Sequence, residues 1–211
     1  MNEKIKRLIF GLFYVIIMWV GSSYQTTYNL LFTILAIISI YEMWMLRRGK
    51  SKFLAFLFTI IPFIIIQLLA INNNDSNLTF DPTIILFIMI LTWTFDTFAY
   101  IIGIKFGKHK IMPSISPNKS WEGFVGGYIF TMIVTYLTYQ YFKFENQTLQ
   151  IIISIILPFT ATTGDFIESY YKRKAGVKDS GNIIPGHGGV LDRMDAFMVT
   201  IPVVYILTKL L

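Results

Sequence analysis

At 211 residues, 55% of them hydrophobic, and with a mean hydropathy of +0.60, the chain suits one domain and lies outside the range of soluble globular proteins. The absence of cysteine excludes disulfides, thiol catalysis and thiolate metal sites. The net charge of +6 comes from 18 Lys and Arg against 12 Asp and Glu, and no basic aromatic domain stands apart from the apolar runs, which argues against a nucleic-acid partner.

A helix that crosses a bilayer core about 30 Å thick needs about 20 apolar residues. Seven stretches fit: residues 8–24, 28–46, 53–71, 83–104, 121–142, 149–171 and 194–211. The first imitates a signal peptide, with basic residues before it and Gly21-Ser22-Ser23 near its end, but six further runs predict an uncleaved first helix. Between runs lie a basic connector at 47–52 and a turn-rich one at 72–82. No linker or internal repeat divides the chain. The expected fold is all-α, a polytopic membrane bundle of about seven helices forming a single domain over 1–211, with N-terminal helices in 1–82 and catalytic helices and loops in 83–211.

Sixteen of the 18 basic residues fall before the first run or after the second, fourth and sixth, on alternate connectors and hence on one side. Only Lys143 and Lys209 fall on the other. The positive-inside rule makes the crowded side, and the N-terminus with it, cytoplasmic.

Charge concentrates between Ser169 and Asp195, which is costly beside a bilayer unless the ions are solvated or paired. Asp165, Glu168, Ser169 and Lys172 occupy i, i+3, i+4 and i+7 on one helix, so they form one stripe; a solvated helix end is the plain alternative to a site. Gly164 and Thr162-Thr163 leave little bulk beside Asp165. Asp192 and Asp195 form a second pair where the last run begins, readable as caps or as ligands; with Asp165, Asp192 supplies hard oxygen donors suited to Mg²⁺. The connector Pro185-Gly186-His187-Gly188-Gly189 can turn backbone N–H groups toward phosphate, flanked by Lys172, Arg173, Lys178 and Arg193. His187 is a candidate acid, base or phosphate donor, and without a histidine partner it does not suggest zinc. His109 reads as solvated, and Glu42 as snorkelling or pairing with Arg47 or Arg48. Asp96 lies inside the fourth run, where an ionisable group is either functional or a buried structural one. Ser116 to Gly123 reads as a turn with Ser120 as N-cap, and Gly123 with Gly127 as a close-packing pair.

Ser169, Lys172-Arg173, Lys178-Asp179, Pro185, His187-Gly188-Gly189, Asp192-Arg193 and Asp195 together resemble the signature of the phosphatidate cytidylyltransferases, the CDP-diacylglycerol synthases. The resemblance extends to Gly164-Asp165, to Ser116-Pro117-Asn118-Lys119 with Trp121-Glu122-Gly123, and to Asp96-Thr97 with Gly103 and Phe106-Gly107. It covers the C-terminal half closely and the N-terminal half only as apolar helices. Tyr171 stands where the family usually has an aliphatic residue or Phe, and the chain is shorter than many relatives, which implies fewer spans before the catalytic core.

The resemblance implies an enzyme of the inner (plasma) membrane, multi-pass, with its active site facing the cytoplasm, that converts CTP and phosphatidic acid to CDP-diacylglycerol and pyrophosphate. It implies Mg²⁺ on Asp165 and Asp192, with a monovalent cation such as K⁺ beside it. It implies catalytic roles for Lys172, Asp192, His187 and Asp165, and substrate contacts from Ser116, Lys119, Glu122, Ser169, Arg173, Lys178, Asp179, Gly188, Gly189, Arg193 and Asp195. A homodimer stays open as a partner state. The alternatives are a CTP-dependent lipid or polyprenol kinase, which would need a base for a neutral hydroxyl, and a cation or lipid transporter using Asp96, Asp165 and Asp192 as a relay.

Overall fold

A backbone removed from water must satisfy its own N–H and C=O groups, which is why the apolar runs fold as helices. A computed structural model of the chain describes residues 3–74, 77–142, 144, 146–183 and 188–211. Seven helices follow in order among the described residues: α1 (Glu3–Ser23), α2 (Gln25–Leu46), α3 (Phe53–Leu69), α4 (Thr83–Phe106), α5 (Trp121–Thr138), α6 (Gln147–Ala175) and α7 (Leu191–Leu210). Of these, α2, α4 and α6 are long and apolar enough to cross a membrane; α3 and the apolar part of α1, Ile9–Ser23, are shorter. The outward faces are greasy, with Leu12, Phe13, Leu30, Phe53, Leu54 and Leu137 all more than half exposed.

Three connectors differ from the sequence expectation. Gln25, Thr26 and Thr27 belong to the first turn of α2, so Tyr24 alone, with extended backbone, separates α1 from α2. The turn-rich connector forms a hairpin of β1 (Ile71–Asn74) and β2 (Asn77–Phe80), paired from Ile71↔Phe80 to Asn74↔Asn77. The Ser116 turn is a strand, β4 (Ser116–Ser120), antiparallel to β3 (Lys110–Met112). Ser120 ends that strand and caps α5, its Oγ accepting from the Gly123 N–H at 3.2 Å.

The connectors rich in basic residues meet at one end of the bundle. Lys50 Nζ donates to the Lys174 carbonyl, Arg173 Nε donates to the Ile115 carbonyl at 3.2 Å, and the Arg47 guanidinium lies 5.4 Å from the Tyr171 ring centre. The opposite end joins Asn146 Nδ2 to the Leu211 carbonyl at 3.3 Å.

Close packing and buried hydroxyls hold the C-terminal helices together. A Cβ added at Gly123 would meet the Ala99 carbonyl at 2.6 Å, and one at Gly127 the Phe95 carbonyl at 2.8 Å, so α5 lies directly on the backbone of α4. Gly164 of α6 faces the Asp195 carbonyl of α7 in the same way. Lower in this pair of helices Thr160 and Thr200 share a hydroxyl hydrogen bond of 2.9 Å, while Thr135 Oγ1 donates to Ser154 Oγ at 2.8 Å between α5 and α6. Polar pairs of this kind tie helices together where water supplies no hydrophobic drive between them.

A branched side chain at Gly164 must push α7 away, because the obstacle is backbone. Gly164→Val is expected to cost about 1–3 kcal/mol and to lower the unfolding midpoint in detergent. An unchanged midpoint would show that α6 and α7 are not in contact there.

Candidate active site

The contact between Gly164 and the Asp195 carbonyl sets the depth at which α7 starts, and thereby brings its acids to the stripe on α6. Asp165, Glu168 and Asp195 each present a carboxylate oxygen within 4.8 Å of the others. Three carboxylates so close repel one another unless cations share the charge. Lys119, from β4, pairs with Asp165 Oδ2, its ammonium 5.5 Å from the Phe166 ring centre. Burial alone would lower the pKa of Lys119, but Asp165, Asp96 and Asp195 outweigh it and hold the ammonium above its ordinary value. Ser169 Oγ donates to Asp165 Oδ1 at 3.1 Å, one turn along the same helix.

Lys172 bridges the two acidic groups. Its Nζ lies 2.5 Å from Glu168 Oε2 and 2.6 Å from Asp192 Oδ1. Glu168 is fully buried, and apart from that ion pair its oxygens accept no hydrogen bond from the described residues. Asp192 is better satisfied: its Oδ2 accepts from the Ser180 N–H at 2.9 Å, the Gly189 N–H at 2.8 Å and lies 3.1 Å from Ser180 Oγ. Gly188, with φ +81°, makes the backbone turn that aims the next N–H at this carboxylate.

A cavity of about 790 Å³ opens at this end of the bundle. Its polar lining comes from Asp96, Asp165, Asp192, Asp195, Lys110, Lys119 and Arg193, together with Ser116, Asn118 and Ser120. Phe95, Ala99, Tyr100, Ile104 and Phe124 add apolar lining. A second cavity of about 370 Å³, lined by Asp81, Asn146 and Lys209 among others, lies at the far end and gathers no comparable cluster.

The expected site residues divide accordingly. Asp165, Asp192, Asp195, Arg193, Lys119 and Ser116 share the cavity, and Lys172, Ser169 and Gly189 stand directly behind it through the bonds above. Glu122 does not line it: its carboxylate accepts from the backbone of Lys108, at 3.0 Å, and of His109, and lies 2.6 Å from His109 Nδ1. His109 is therefore exposed, as expected, but paired. Arg173 holds the carbonyls of Ile115 and Val177, the latter at 3.0 Å, and Lys178 and Asp179 are exposed outside the cavity. Pro185, Gly186 and His187 lie outside the described residues. The compact acidic group also differs from the expected pair: it contains Asp165 with Glu168 and Asp195, while Asp192 is turned to Lys172 and to the loop N–H groups.

Two further residues carry no site role in the sequence reading. Tyr14, on α1, reaches the Arg193 carbonyl with its hydroxyl at 3.4 Å. Glu42 does not snorkel or pair with Arg47 or Arg48: it is buried, and accepts from Ser180 Oγ and from the Val190 and Leu191 N–H groups. Nothing local marks it, because its partners lie more than 130 residues away.

Carboxylates, ammonium groups and backbone donors thus converge around one cavity. The family model described as the Cytidylyltransferase family matches residues 2–211, and the chain belongs to that family. It is similar to proteins named phosphatidate cytidylyltransferase from Staphylococcus saprophyticus subsp. saprophyticus (51% identity over 124 residues), Staphylococcus haemolyticus (48% over 124) and Staphylococcus aureus strain COL (46% over 125). Each match covers 58% of this chain and 48% of the relative, so the chain spans about half the length of the curated relatives it matches.

Removing the bridging ammonium leaves Glu168 and Asp192 buried and facing each other uncompensated. Lys172→Met is expected to cost about 3–5 kcal/mol, and Lys172→Met with Glu168→Gln distinctly less. Chemical unfolding in detergent measures both; equal losses would mean that the bridge carries no coupling.

Proposed function

We propose that the chain transfers the cytidylyl group of CTP to phosphatidic acid, giving CDP-diacylglycerol and pyrophosphate. The cavity supports this best, because its lining combines charged groups suited to a triphosphate with apolar side chains suited to a lipid. The names of the similar staphylococcal proteins point the same way.

In the reaction, a phosphate oxygen of phosphatidic acid attacks the α-phosphorus of CTP, and the bond from that phosphorus to the bridging oxygen of pyrophosphate breaks. A phosphate monoester has its second pKa near about 6, so the attacking oxygen is largely a dianion at neutral pH and needs little help from a base. The barrier is electrostatic. Lys119 and Arg193 line the cavity where the anions must meet, and they supply the positive field that the approach requires. Ser116 and Asn118 add neutral donors on the same strand. Lys172 and the loop N–H groups fix Asp192.

The residues fit a divalent cation, since Glu168 is a buried carboxylate within reach of Asp165 and Asp195 whose one partner among the described residues is the Lys172 ammonium on Oε2. Asp165, Glu168 and Asp195, with Asp192 at the cavity wall, are the residues we assign to holding Mg²⁺, with K⁺ as a second cation. The bound metal would supply charge neutralisation on the phosphate oxygens. We further read the chain as a multi-pass protein of the bacterial inner membrane, its basic, cavity-bearing end facing the cytoplasm, where CTP is found.

Labelled CTP, phosphatidic acid and Mg²⁺ supplied to the purified protein in detergent are expected to yield CDP-diacylglycerol and pyrophosphate in equal amounts. No product from a folded sample would sink the proposal. Asp192→Asn is expected to reduce turnover by about 100-fold or more while the protein still folds. His109→Gln, which touches only an exposed pair, should stay within about twofold of the parent; a large kinetic loss would place His109 in the site.

A further inference from the structure

Helix α7 starts without a cap of its own. Among its first N–H groups only that of Arg193 finds a local acceptor among the described residues, the Val190 carbonyl at 2.9 Å, and Val190, at the N-cap position, offers no side-chain acceptor. The acceptor comes from α2. Glu42 Oε1 accepts the Val190 N–H at 3.1 Å, and Oε2 accepts the Leu191 N–H at 2.8 Å and the Ser180 hydroxyl at 2.8 Å.

The loop is shaped around this carboxylate. Gly181 and Gly189 both face it: a Cβ at Gly181 would collide with Glu42 Oε1, and one at Gly189 would lie 2.5 Å from Oε2 and 2.6 Å from Oε1. The two groups that Glu42 fixes, Ser180 and the start of α7, are the same ones that aim Asp192. Ser180 N–H and Gly189 N–H both donate to Asp192 Oδ2. Ser180 Oγ stands between the two acids, 2.8 Å from Glu42 and 3.1 Å from Asp192, with one proton to give.

We propose that Glu42 is a positioning residue of the active site: its buried carboxylate caps α7 and ties Ser180 to Val190 and Leu191, so that the Ser180 and Gly189 N–H groups hold Asp192 at the cavity wall in a fixed arrangement. It touches neither substrate in this reading. Its effect on turnover rests on the reaction proposed above, whereas its effect on the loop does not. The chemistry is specific to a carboxylate. Glutamine keeps the size but has one acceptor oxygen, and its NH₂ group would face N–H donors.

Hydrogen exchange of the whole protein in detergent, without substrates, tests the clamp directly. In Glu42→Gln, peptides covering 178–191 are expected to exchange at least about tenfold faster than in the parent, while peptides of α4 and α5 keep their rates. Gly189→Ala, which leaves Glu42 in place but crowds both its carboxylate and the Ser180 hydroxyl, should open the same peptides. In the synthase assay, Glu42→Gln should raise KM for CTP at least about tenfold and change KM for phosphatidic acid less than about twofold. Loop peptides that exchange as slowly as in the parent, or exchange that rises evenly through every helix, would overturn the clamp. Equal changes in both KM values would overturn its link to CTP. A parent protein that makes no CDP-diacylglycerol, yet whose loop opens in Glu42→Gln, would remove the proposed reaction and leave the clamp standing.

Discussion

Gathering carboxylates at the edge of an apolar bundle is the constraint on which the rest of this structure turns. Asp165, Glu168 and Asp195 crowd within 4.8 Å, and each has been taken at least partly out of water. Such a group is tolerable only where positive charge reaches it from several directions. Here the charge comes from different elements: Lys119 from a strand and Lys172 from α6 itself. The β3–β4 hairpin is therefore part of the electrostatics as well as a connector.

Close approach of backbones makes this convergence geometrically feasible. Gly123, Gly127 and Gly164 each remove a side chain where another helix must pass, and each sits on a helix that brings residues to the site. The price is paid in packing entropy and offset by hydroxyl pairs such as Thr160 with Thr200. Because these contacts lie between α4, α5, α6 and α7, the site is built where helix backbones approach most closely at glycines. The outer faces are left apolar.

Much of this was readable in the chain because helical periodicity is local. Asp165, Glu168, Ser169 and Lys172 recur at 3, 4 and 7, and the helix turns that spacing into the observed Asp165–Ser169 and Glu168–Lys172 contacts. The seven apolar runs likewise anticipate seven helices in the right order. What periodicity does not carry is rotation of one helix against another. Asp192 and Asp195 are one turn apart on α7, and only the seating of α7 on Gly164 decides that Asp195 joins the acidic group while Asp192 turns to Lys172. The strand at Ser116–Ser120 was hidden by Pro117, which reads as a turn and in fact sits on a short two-stranded ribbon with an open edge. Glu42 was hidden for a different reason: a single acid beside Arg47 and Arg48 has an adequate local explanation, and its actual partners belong to the other end of the chain.

That last separation has a temporal side. A chain made from its N-terminus delivers α2 long before α7, so the Glu42 carboxylate must wait, uncapped by its eventual donors, until nearly the whole sequence has emerged. Contacts of such long sequence separation form late, since the intervening chain must first be ordered. The order of synthesis therefore means that the Glu42 contacts to Val190 and Leu191 can form only once the start of α7 has been made. A bundle with its helices already inserted would still lack a finished site until α2 and α7 met.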